Sequence, residues 1–178
     1  MAIGKVISGK RLLLRPLEAK DATPRYLAWM QDPWVNQYLE SRFSEHSIDS
    51  LRDFIAAMNR SADNFLFGIF TQSGAEHIGN IKIGNINARH LHADVGLVIG
   101  DAAARGHGYA SEAIGMVTDF AFSEIGLNKL FAGMYMDNAG SARAFLRAGY
   151  REIGILKRHV YCNDRFIDSM LVEKCRED

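Results

Sequence analysis

Residues 103–113 have the sequence AARGHGYASEA, and this stretch decides the fold. It follows an apolar run at 95–100 that predicts a β-strand, and it leads into apolar residues at helical spacing. A strand, a glycine-bearing loop and a helix start make an anion site, because the free N–H groups of the first helical turn and the helix dipole favour negative charge. Gly106 and Gly108 let the backbone approach a phosphate closely, and Arg105 adds a permanent positive charge.

Two kinds of protein place such a loop between a strand and a helix. The sequence GHGYAS at 106–111 is close to the dinucleotide-binding fingerprint, although Ser111 stands where that fingerprint has its third glycine. Asp137 also ends the next predicted strand, where a ribose-binding acid is expected. However, a dinucleotide-binding unit normally continues into further parallel strand–helix repeats, whereas one helix and then more strands follow here. The predicted elements therefore favour the second kind of protein.

The pattern Arg-x-x-Gly-x-Ala at 105–110 resembles the pyrophosphate-binding motif of the GCN5-related N-acetyltransferases, Gln/Arg-x-x-Gly-x-Gly/Ala. Segment 93–99 resembles that family's fourth strand, 128–135 its fifth strand, and 138–150 the helix and turn that follow. The resemblance covers about residues 10–174 and is strongest to the branch that acetylates ribosomal-protein N-termini, polyamines and sugar amines. It implies a single-domain α/β fold with a mixed, mostly antiparallel sheet flanked by helices. The fourth and fifth strands of that sheet splay apart around the acetyl-CoA arm.

Length and composition predict one domain over 1–178 with its core at about 10–174. Lys+Arg and Asp+Glu are 21 each, so the net charge is zero, which argues against a nucleic-acid partner. Two cysteines without CxxC spacing argue against a disulfide framework or a metal site. The sequence has no run of about 18 apolar residues. We therefore expect a soluble, cytoplasmic monomer or homodimer with no membrane partner.

Helix-start signals and turn residues outline the remaining elements. Thr23 and Ser47 precede helical patterns as caps, and Pro24 and Pro33 stand at first helical positions, the second starting a short helix through Leu39. The other predicted elements are strands at 11–15, 64–71, 76–87, 90–100, 128–136, 150–161 and 165–174, a long helix at 108–124, and a helix from Asn138 to Gly149.

The resemblance also implies which residues hold the donor, acetyl-CoA. They lie on the fourth strand, the glycine loop, the helix start and the helix after the fifth strand: Val98, Ile99, Arg105, Gly106, His107, Gly108, Tyr109, Ala110, Asn138 and Phe145. A backbone N–H near Val98 is expected to stabilise the oxyanion. Many relatives use a tyrosine at the position of Phe145 to protonate the leaving thiolate, and phenylalanine has no proton to give. The resemblance transfers a contact with the thiol sulfur to Ser141, one helical turn earlier.

Transfer to an amine also requires a proton acceptor, because an amine with a pKa of about 10.4 is almost entirely protonated at pH 7. His90, His92 and Asp94 share one face of the predicted strand at period two. Asp94 matches an acidic residue that many relatives carry there, and a histidine beside a carboxylate can titrate near pH 7. We therefore predict His92 and Asp94 as catalytic, and which of the three acts, directly or through water, stays open.

Segment 29–43 resembles the pattern of members that act on nucleotide-linked amino sugars. Tyr38 and Arg42 are the predicted substrate-binding residues, since an arginine and a tyrosine can hold a phosphate or hydroxyl groups. The predicted acceptor is therefore a small-molecule amine such as an amino sugar. A protein N-terminus or a polyamine remains an alternative, and so does a non-catalytic acyl-CoA-binding module, which Phe145 alone favours. Weaker candidates for the acceptor pocket are Trp29, Trp34, His159, Tyr161 and Asp168.

Overall fold

The computed structural model describes residues 5–176, which form strands and helices in one α/β arrangement. The strands are β1 (Ile7–Ser8), β2 (Leu12–Pro16), β3 (Phe65–Thr71), β4 (His77–Asn87), β5 (His92–Ile99), β6 (Lys129–Tyr135), β7 (Arg151–Cys162) and β8 (Arg165–Cys175). The α-helices are α1 (Pro24–Gln31), α2 (Pro33–Asn36), α3 (Ile48–Arg60), α4 (Tyr109–Phe120) and α5 (Ala139–Arg147). Short 3₁₀ turns cover Ala19–Asp21, Glu40–Phe43 and Ala102–Ala104, and a π turn at Ala121–Ile125 extends α4.

The described strands form one eight-stranded sheet in the order β1-β2-β3-β4-β5-β6-β8-β7. Every neighbouring pair is antiparallel except β5 and β6, which are parallel. Those two strands pair only at 92–94 with 129–131. Since β5 continues to Ile99 and β6 to Tyr135, the strands separate over their C-terminal parts. The predicted mixed, mostly antiparallel fold with two splayed strands is confirmed.

The helix starts follow the capping signals of the sequence. The Thr23 hydroxyl accepts the N–H of Tyr26 at 3.2 Å, and the Ser47 hydroxyl accepts the N–H of Ser50 at 3.0 Å. Each contact satisfies a backbone donor that has no partner inside its helix. Gly149 follows α5 with a φ of 86°, the left-handed conformation in which glycine is tolerated without strain.

Two features differ from the sequence-based expectation. The second helix was expected to reach Leu39 but ends at Asn36, because Leu39 takes an extended conformation and packs against the core formed by α1 and α3. Strand β1 was not predicted, since only two residues pair. The long helix ends as expected at Gly126, whose φ is 81°, and its last turn, Ala121–Ile125, is a π turn.

Two apolar layers cover the sheet. Helix α4 buries Ile114 and Val117 completely against one face, together with Val95 of β5. Burying such a side chain contributes roughly 1.5–3 kcal/mol, so this layer fixes α4 on the central strands. On the other face, Leu51 and Ile55 of α3 belong to a second cluster with residues of α1 and β3. No helix among residues 5–176 is long and apolar enough to cross a membrane.

Candidate active site

The separation of β5 from β6 leaves backbone donors of β5 without a strand partner. The N–H of Gly100 donates to the carbonyl of Ile78 on β4 at 3.0 Å. The pairing of β4 with β5 has no register shift between this point and Val98. Because N–H groups alternate between the two sides of an antiparallel strand, the Val98 N–H also faces β4, while those of Leu97 and Ile99 face β6. Strand β6 has moved away at this level. The gap therefore presents N–H groups of Leu97 and Ile99, whereas the sequence prediction centred on Val98 and omitted Leu97.

The glycine loop brings the start of α4 to the same gap. Gly106 and Gly108 have φ angles of 79° and 78°, and Gly108 is the N-cap of α4. A side chain is strained at such angles, so both positions favour glycine. The first intrahelical bond runs from the Glu112 N–H to the Gly108 carbonyl. The N–H groups of residues 109–111 therefore have no partner within the helix, as the prediction of an anion site at this helix start requires.

Arg11 on the chain before β2 fastens this loop to the helix. Its Nε donates to Glu112 Oε2 at 2.7 Å, its Nη1 donates to the His107 carbonyl at 2.8 Å, and its guanidinium lies 4.7 Å from the Tyr109 ring centroid. Partial burial acts to raise the pKa of Glu112, but hydrogen bonds from Arg11 hold that pKa below its ordinary value. Sequence reasoning missed Arg11, because it lies about a hundred residues from its partners and no local spacing indicates the contact.

Arg105 of the motif is held by backbone and by an aromatic ring. Its Nη2 donates to the Gly100 carbonyl at 2.9 Å, and its guanidinium stacks 4.0 Å from the ring centroid of Trp34. Trp34 is 61% exposed and belongs to α2, so this contact joins the N-terminal helices to the glycine loop across the mouth of the gap. A cation–π contact of this kind contributes roughly 0.5–1 kcal/mol at an exposed site.

Helix α5 supplies the opposite wall. The Asn138 side chain caps it by accepting the Ser141 N–H at 3.1 Å through Oδ1, as the sequence predicted. This contact leaves the Asn138 amide N–H₂ as a donor and the Ser141 hydroxyl as a donor or acceptor. Arg143 and Arg147 lie one turn apart on the same helix and also line the gap. Helix α5 therefore adds polar and cationic groups to the wall.

These walls enclose a cavity of about 670 Å³. Its volume lies within the range of roughly 300–1,000 Å³ that is typical of small-molecule sites. Eleven of the residues predicted from sequence line it: Trp34, Tyr38, Val98, Ile99, Arg105, Gly106, Gly108, Tyr109, Ala110, Asn138 and Ser141. The structure therefore gathers the strand, loop and helix positions of the proposed donor site around one cavity.

Two predicted donor-binding residues lie outside this lining. Phe145 is only 2% exposed and packs edge-on against Tyr150, with ring centroids 5.1 Å apart, because it lies on the face of α5 that belongs to the core. The His107 side chain is exposed. The residue contributes its backbone carbonyl, which accepts a hydrogen bond from Arg11. Phe145 therefore packs in the core and does not line the cavity.

His92 and Asp94 also lie outside the cavity. They occupy the end of β5 that pairs with β6, and Asp94 Oδ1 accepts a hydrogen bond of 2.6 Å from the side chain of Asn85. Along the extended strand, Asp94 lies about 10 Å from Leu97 and about 16 Å from Ile99, at about 3.3 Å per residue. The structure therefore does not bring these predicted proton acceptors together with Ser141.

The acceptor-side wall is built by the chain after α2 and the end of β6. The Tyr38 hydroxyl donates to the Asp137 carbonyl at 3.4 Å, and its ring meets Tyr135 edge-on at 5.6 Å. Arg42 does not line the cavity; its guanidinium donates to the carbonyls of Leu39 at 2.8 Å and Tyr161 at 3.1 Å. Arg42 therefore connects the chain after α2 to β7 outside the cavity, although the sequence prediction made it a substrate contact.

Comparison with known proteins agrees with this geometry. The acetyltransferase (GNAT) domain family matches residues 11–151. The uncharacterized N-acetyltransferase YoaA of Bacillus subtilis (strain 168) is 29% identical over 159 residues, which is 89% of each chain. The chain belongs to the acetyltransferase (GNAT) domain family, and it is an enzyme of the N-acetyltransferase class.

Two solved structures have the same fold. The spermidine N-acetyltransferase from Vibrio cholerae, in complex with CoA and spermine, superposes with a TM-score of 0.82 at 21% identity, covering 94% of this chain and 96% of that one. RimJ of Mycobacterium smegmatis, in complex with CoA-disulfide, superposes with a TM-score of 0.81 at 21% identity, covering 97% and 88%. At these identities the likeness shows the fold, and the acceptor amine has to be argued from the residues of this chain.

Proposed function

We propose that the protein transfers acetyl from acetyl-CoA directly to a primary amine. The observation that carries this proposal is the single cavity that joins the free N–H groups of β5 to the free N–H groups at the start of α4. The donor is a long molecule with a thioester at one end of its pantetheine arm and a pyrophosphate at the other. The cavity offers oxyanion donors at one end and an anion site at the other.

The glycine loop fits the pyrophosphate group. A Cβ built at Gly106 would meet no atom within 4 Å, and one at Gly108 would meet only the Arg11 guanidinium at 3.7 Å. The space in front of both glycines is therefore open to a ligand. The N–H groups of residues 109–111 and the arginines of the loop and of α5 supply positive potential there.

The residues of the gap support a direct transfer. The N–H groups of Leu97 and Ile99 are placed to polarise the thioester carbonyl and to stabilise the oxyanion that forms when the amine nitrogen attacks the carbonyl carbon. The carbon–nitrogen bond forms, the carbon–sulfur bond breaks, and its electron pair leaves on the thiolate. Ser141 then donates a hydrogen bond to the sulfur and relays a proton from water. Neither Cys162 nor Cys175 lines the cavity, so no thiol of the chain is placed to form an acetyl-enzyme.

We propose a small hydroxylated amine, such as an amino sugar, as the acceptor. Asp137 lines the cavity and already bonds Arg165 at 2.5 Å, and three arginines, Arg105, Arg143 and Arg147, line the same cavity. A polyamine site needs several carboxylates free to bind cations, so these contacts favour an acceptor with few positive charges. The relatives named for spermidine and for ribosomal proteins keep the polyamine and the protein N-terminus as the competing acceptors.

Turnover with a panel of amines tests this proposal. We expect acetyl-CoA to raise the melting temperature while NADH does not, and we expect the wild type to acetylate a nucleotide-linked amino sugar faster than spermidine or peptides with free Ala or Ser N-termini. Faster turnover of spermidine or a peptide would contradict the acceptor assignment alone. Binding of acetyl-CoA without transfer to any amine would instead support a non-catalytic acyl-CoA-binding module.

A further inference from the structure

An exposed carboxylate lies next to the acceptor-side wall. The side chain of Glu40 is 77% exposed, yet its Oε1 accepts a 2.6 Å hydrogen bond from the hydroxyl of Tyr135, which is a buried residue. Glu40 follows Leu39, which lines the cavity, and Tyr135 ends β6 just before the cavity-lining segment 137–141. The bond therefore fixes a solvent-accessible carboxylate between two segments that line the site.

The tyrosine can only serve as the donor in this pair. Burial raises the pKa of the Tyr135 phenol, and the hydrogen bond to Glu40 raises it further. The phenol consequently stays protonated at neutral pH and keeps donating to Oε1. The T-shaped contact with Tyr38 fixes the ring, so the direction of the donated bond is fixed as well. Among residues 5–176 no hydrogen bond to Glu40 Oε2 is formed, which leaves that oxygen available to an incoming amine.

Arg42 holds the short turn that carries Glu40. Its guanidinium lies 3.8 Å from Glu40 Oε1 and is anchored on the carbonyls of Leu39 and Tyr161. It also lies 5.2 Å from the ring centroid of Tyr135. The guanidinium therefore approaches the same carboxylate oxygen that Tyr135 binds and leaves the second oxygen open.

The other carboxylates near the site are less suited to take a proton. Asp137 is engaged by Arg165, and Asp94 lies at the paired end of β5 outside the cavity. A close cation makes a carboxylate a weaker proton acceptor, because it stabilises the charged form. Arg165 lies 2.5 Å from Asp137, whereas Arg42 stays 3.8 Å from Glu40 Oε1 and forms no hydrogen bond with it. Glu40 does not itself line the cavity, but it directly follows Leu39, which does, and its Oε2 accepts no hydrogen bond from the described residues.

We propose that Glu40 binds the ammonium group of the acceptor and takes its proton, with Tyr135 as the residue that positions the carboxylate. This inference rests on the proposed acetyl transfer. One proton moves from the ammonium nitrogen to Glu40 Oε2, and the nitrogen lone pair then forms the bond to the acetyl carbon. The sulfur takes the electron pair of the broken bond and the second nitrogen proton through Ser141 and water. Glu40 releases its proton to solvent, so one proton is produced per acetyl transferred.

Glu40→Gln tests the proton transfer, because the amide oxygen still accepts the Tyr135 hydrogen bond but cannot take a proton. We expect kcat/KM for the amine that the wild type acetylates fastest to fall about 10²–10³-fold at pH 7. The loss should shrink as the pH approaches the pKa of the amine, where the substrate arrives neutral. The acetyl-CoA-induced rise in melting temperature should be unchanged. Tyr135→Phe should cost about tenfold in kcat/KM, because the carboxylate is retained but no longer aimed.

Glu45→Gln is the matched control, since Glu45 is an exposed glutamate of the same segment. We expect it to change kcat/KM less than twofold. A Glu40→Gln enzyme that keeps its activity at pH 7, or whose loss is equal at every pH, overturns the assignment of Glu40 while the transferase assignment stands. A wild type that transfers acetyl to no amine of the panel overturns both.

Discussion

The two ends of β5 are both extended, but they differ in how many neighbouring strands pair with them. At 92–94 the strand has β4 on one side and β6 on the other, so its backbone groups are paired. At 97–99 the pairing with β4 continues, but β6 has turned away and the N–H groups on that side have no strand partner. Buried backbone donors are almost always satisfied in folded proteins. The donors of the splayed end therefore need partners from outside the sheet.

The neighbours of β6 explain why the strands separate. Strand β6 pairs with β8 along its whole length, from Lys129 to Tyr135, but with β5 over only three residues. Its far end is tied to β8 and to the acceptor-side wall through the Tyr135–Glu40 bond. The start of α4 and the glycine loop lie beside the opened end of β5. The difference between the two ends thus comes from the elements that hold β6, and the sequence of β5 alone does not contain it.

Gly108→Val is expected to have the largest effect on the splayed end. Acetyl-CoA at about 100 times its dissociation constant should stabilise the wild type by about 2.7 kcal/mol, which raises the melting temperature by several degrees. A β-branched residue at a φ of 78° is strained, and its side chain also fills the space in front of the helix N-terminus. We expect differential scanning fluorimetry to show no acetyl-CoA shift in this variant.

Gly126→Val tests whether backbone strain alone removes the acetyl-CoA-induced rise in melting temperature. Gly126 has a φ of 81° and ends the π turn at the other end of the same helical segment, and it does not line the cavity. Both substitutions should lower the melting temperature of the free protein, but Gly126→Val should keep the acetyl-CoA shift. Loss of the shift in both variants would mean that general destabilisation, and not the glycine loop, explains the result.

Ser141→Ala is expected to have a smaller effect than Gly108→Val or Glu40→Gln. The hydroxyl contributes chiefly when charge develops on sulfur, so we expect kcat to fall roughly tenfold with the KM for acetyl-CoA nearly unchanged. Ser111→Ala removes a hydroxyl from the anion-binding end of the same cavity and should leave kcat within about twofold. Steady-state kinetics with saturating amine measures both variants. An equal and small effect in the two would leave Ser141 as a helix residue without a part in the transfer.

Much of the splayed end was predictable from sequence because its signals are local. Gly106, Gly108 and Asn138 act through backbone angle and helix capping, which depend on the nearest few residues. The same local spacing failed for Phe145, because which face of α5 turns toward the core is decided by Tyr150 and the sheet. The sequence placed the oxyanion donor near Val98 without saying which N–H faces the gap, because that direction depends on the β4 register, which the sequence of β5 does not reveal.

The acceptor-side wall was predictable only in part because its contacts are long-range. Tyr38 was expected to face the substrate, and it lines the cavity. The partner of Glu40 is Tyr135, 95 residues later, and Arg42 is anchored on Tyr161, 119 residues later. No spacing rule connects residues at such distances. Only the folded sheet brings the end of β6 and the β7–β8 hairpin to the turn after α2.

Asp94→Asn is expected to have the smallest effect. It tests whether the end of β5 that pairs with β6 takes part in the reaction. Asp94 lies about 16 Å along the strand from Ile99, and its carboxylate is engaged by Asn85 at 2.6 Å. The substitution keeps the size of the side chain, and an amide can still pair with another amide. We expect kcat/KM to change by about twofold or less at every pH, in contrast to the pH-dependent loss expected for Glu40→Gln.

Gly96, which lies between Asp94 and the gap, has no heavy atom within 4 Å of a Cβ built on it, so water has room to connect the two ends. A loss of tenfold or more, shrinking toward high pH, would show that the paired end reaches the reaction through that space. Asp94 would then be the proton acceptor in place of Glu40.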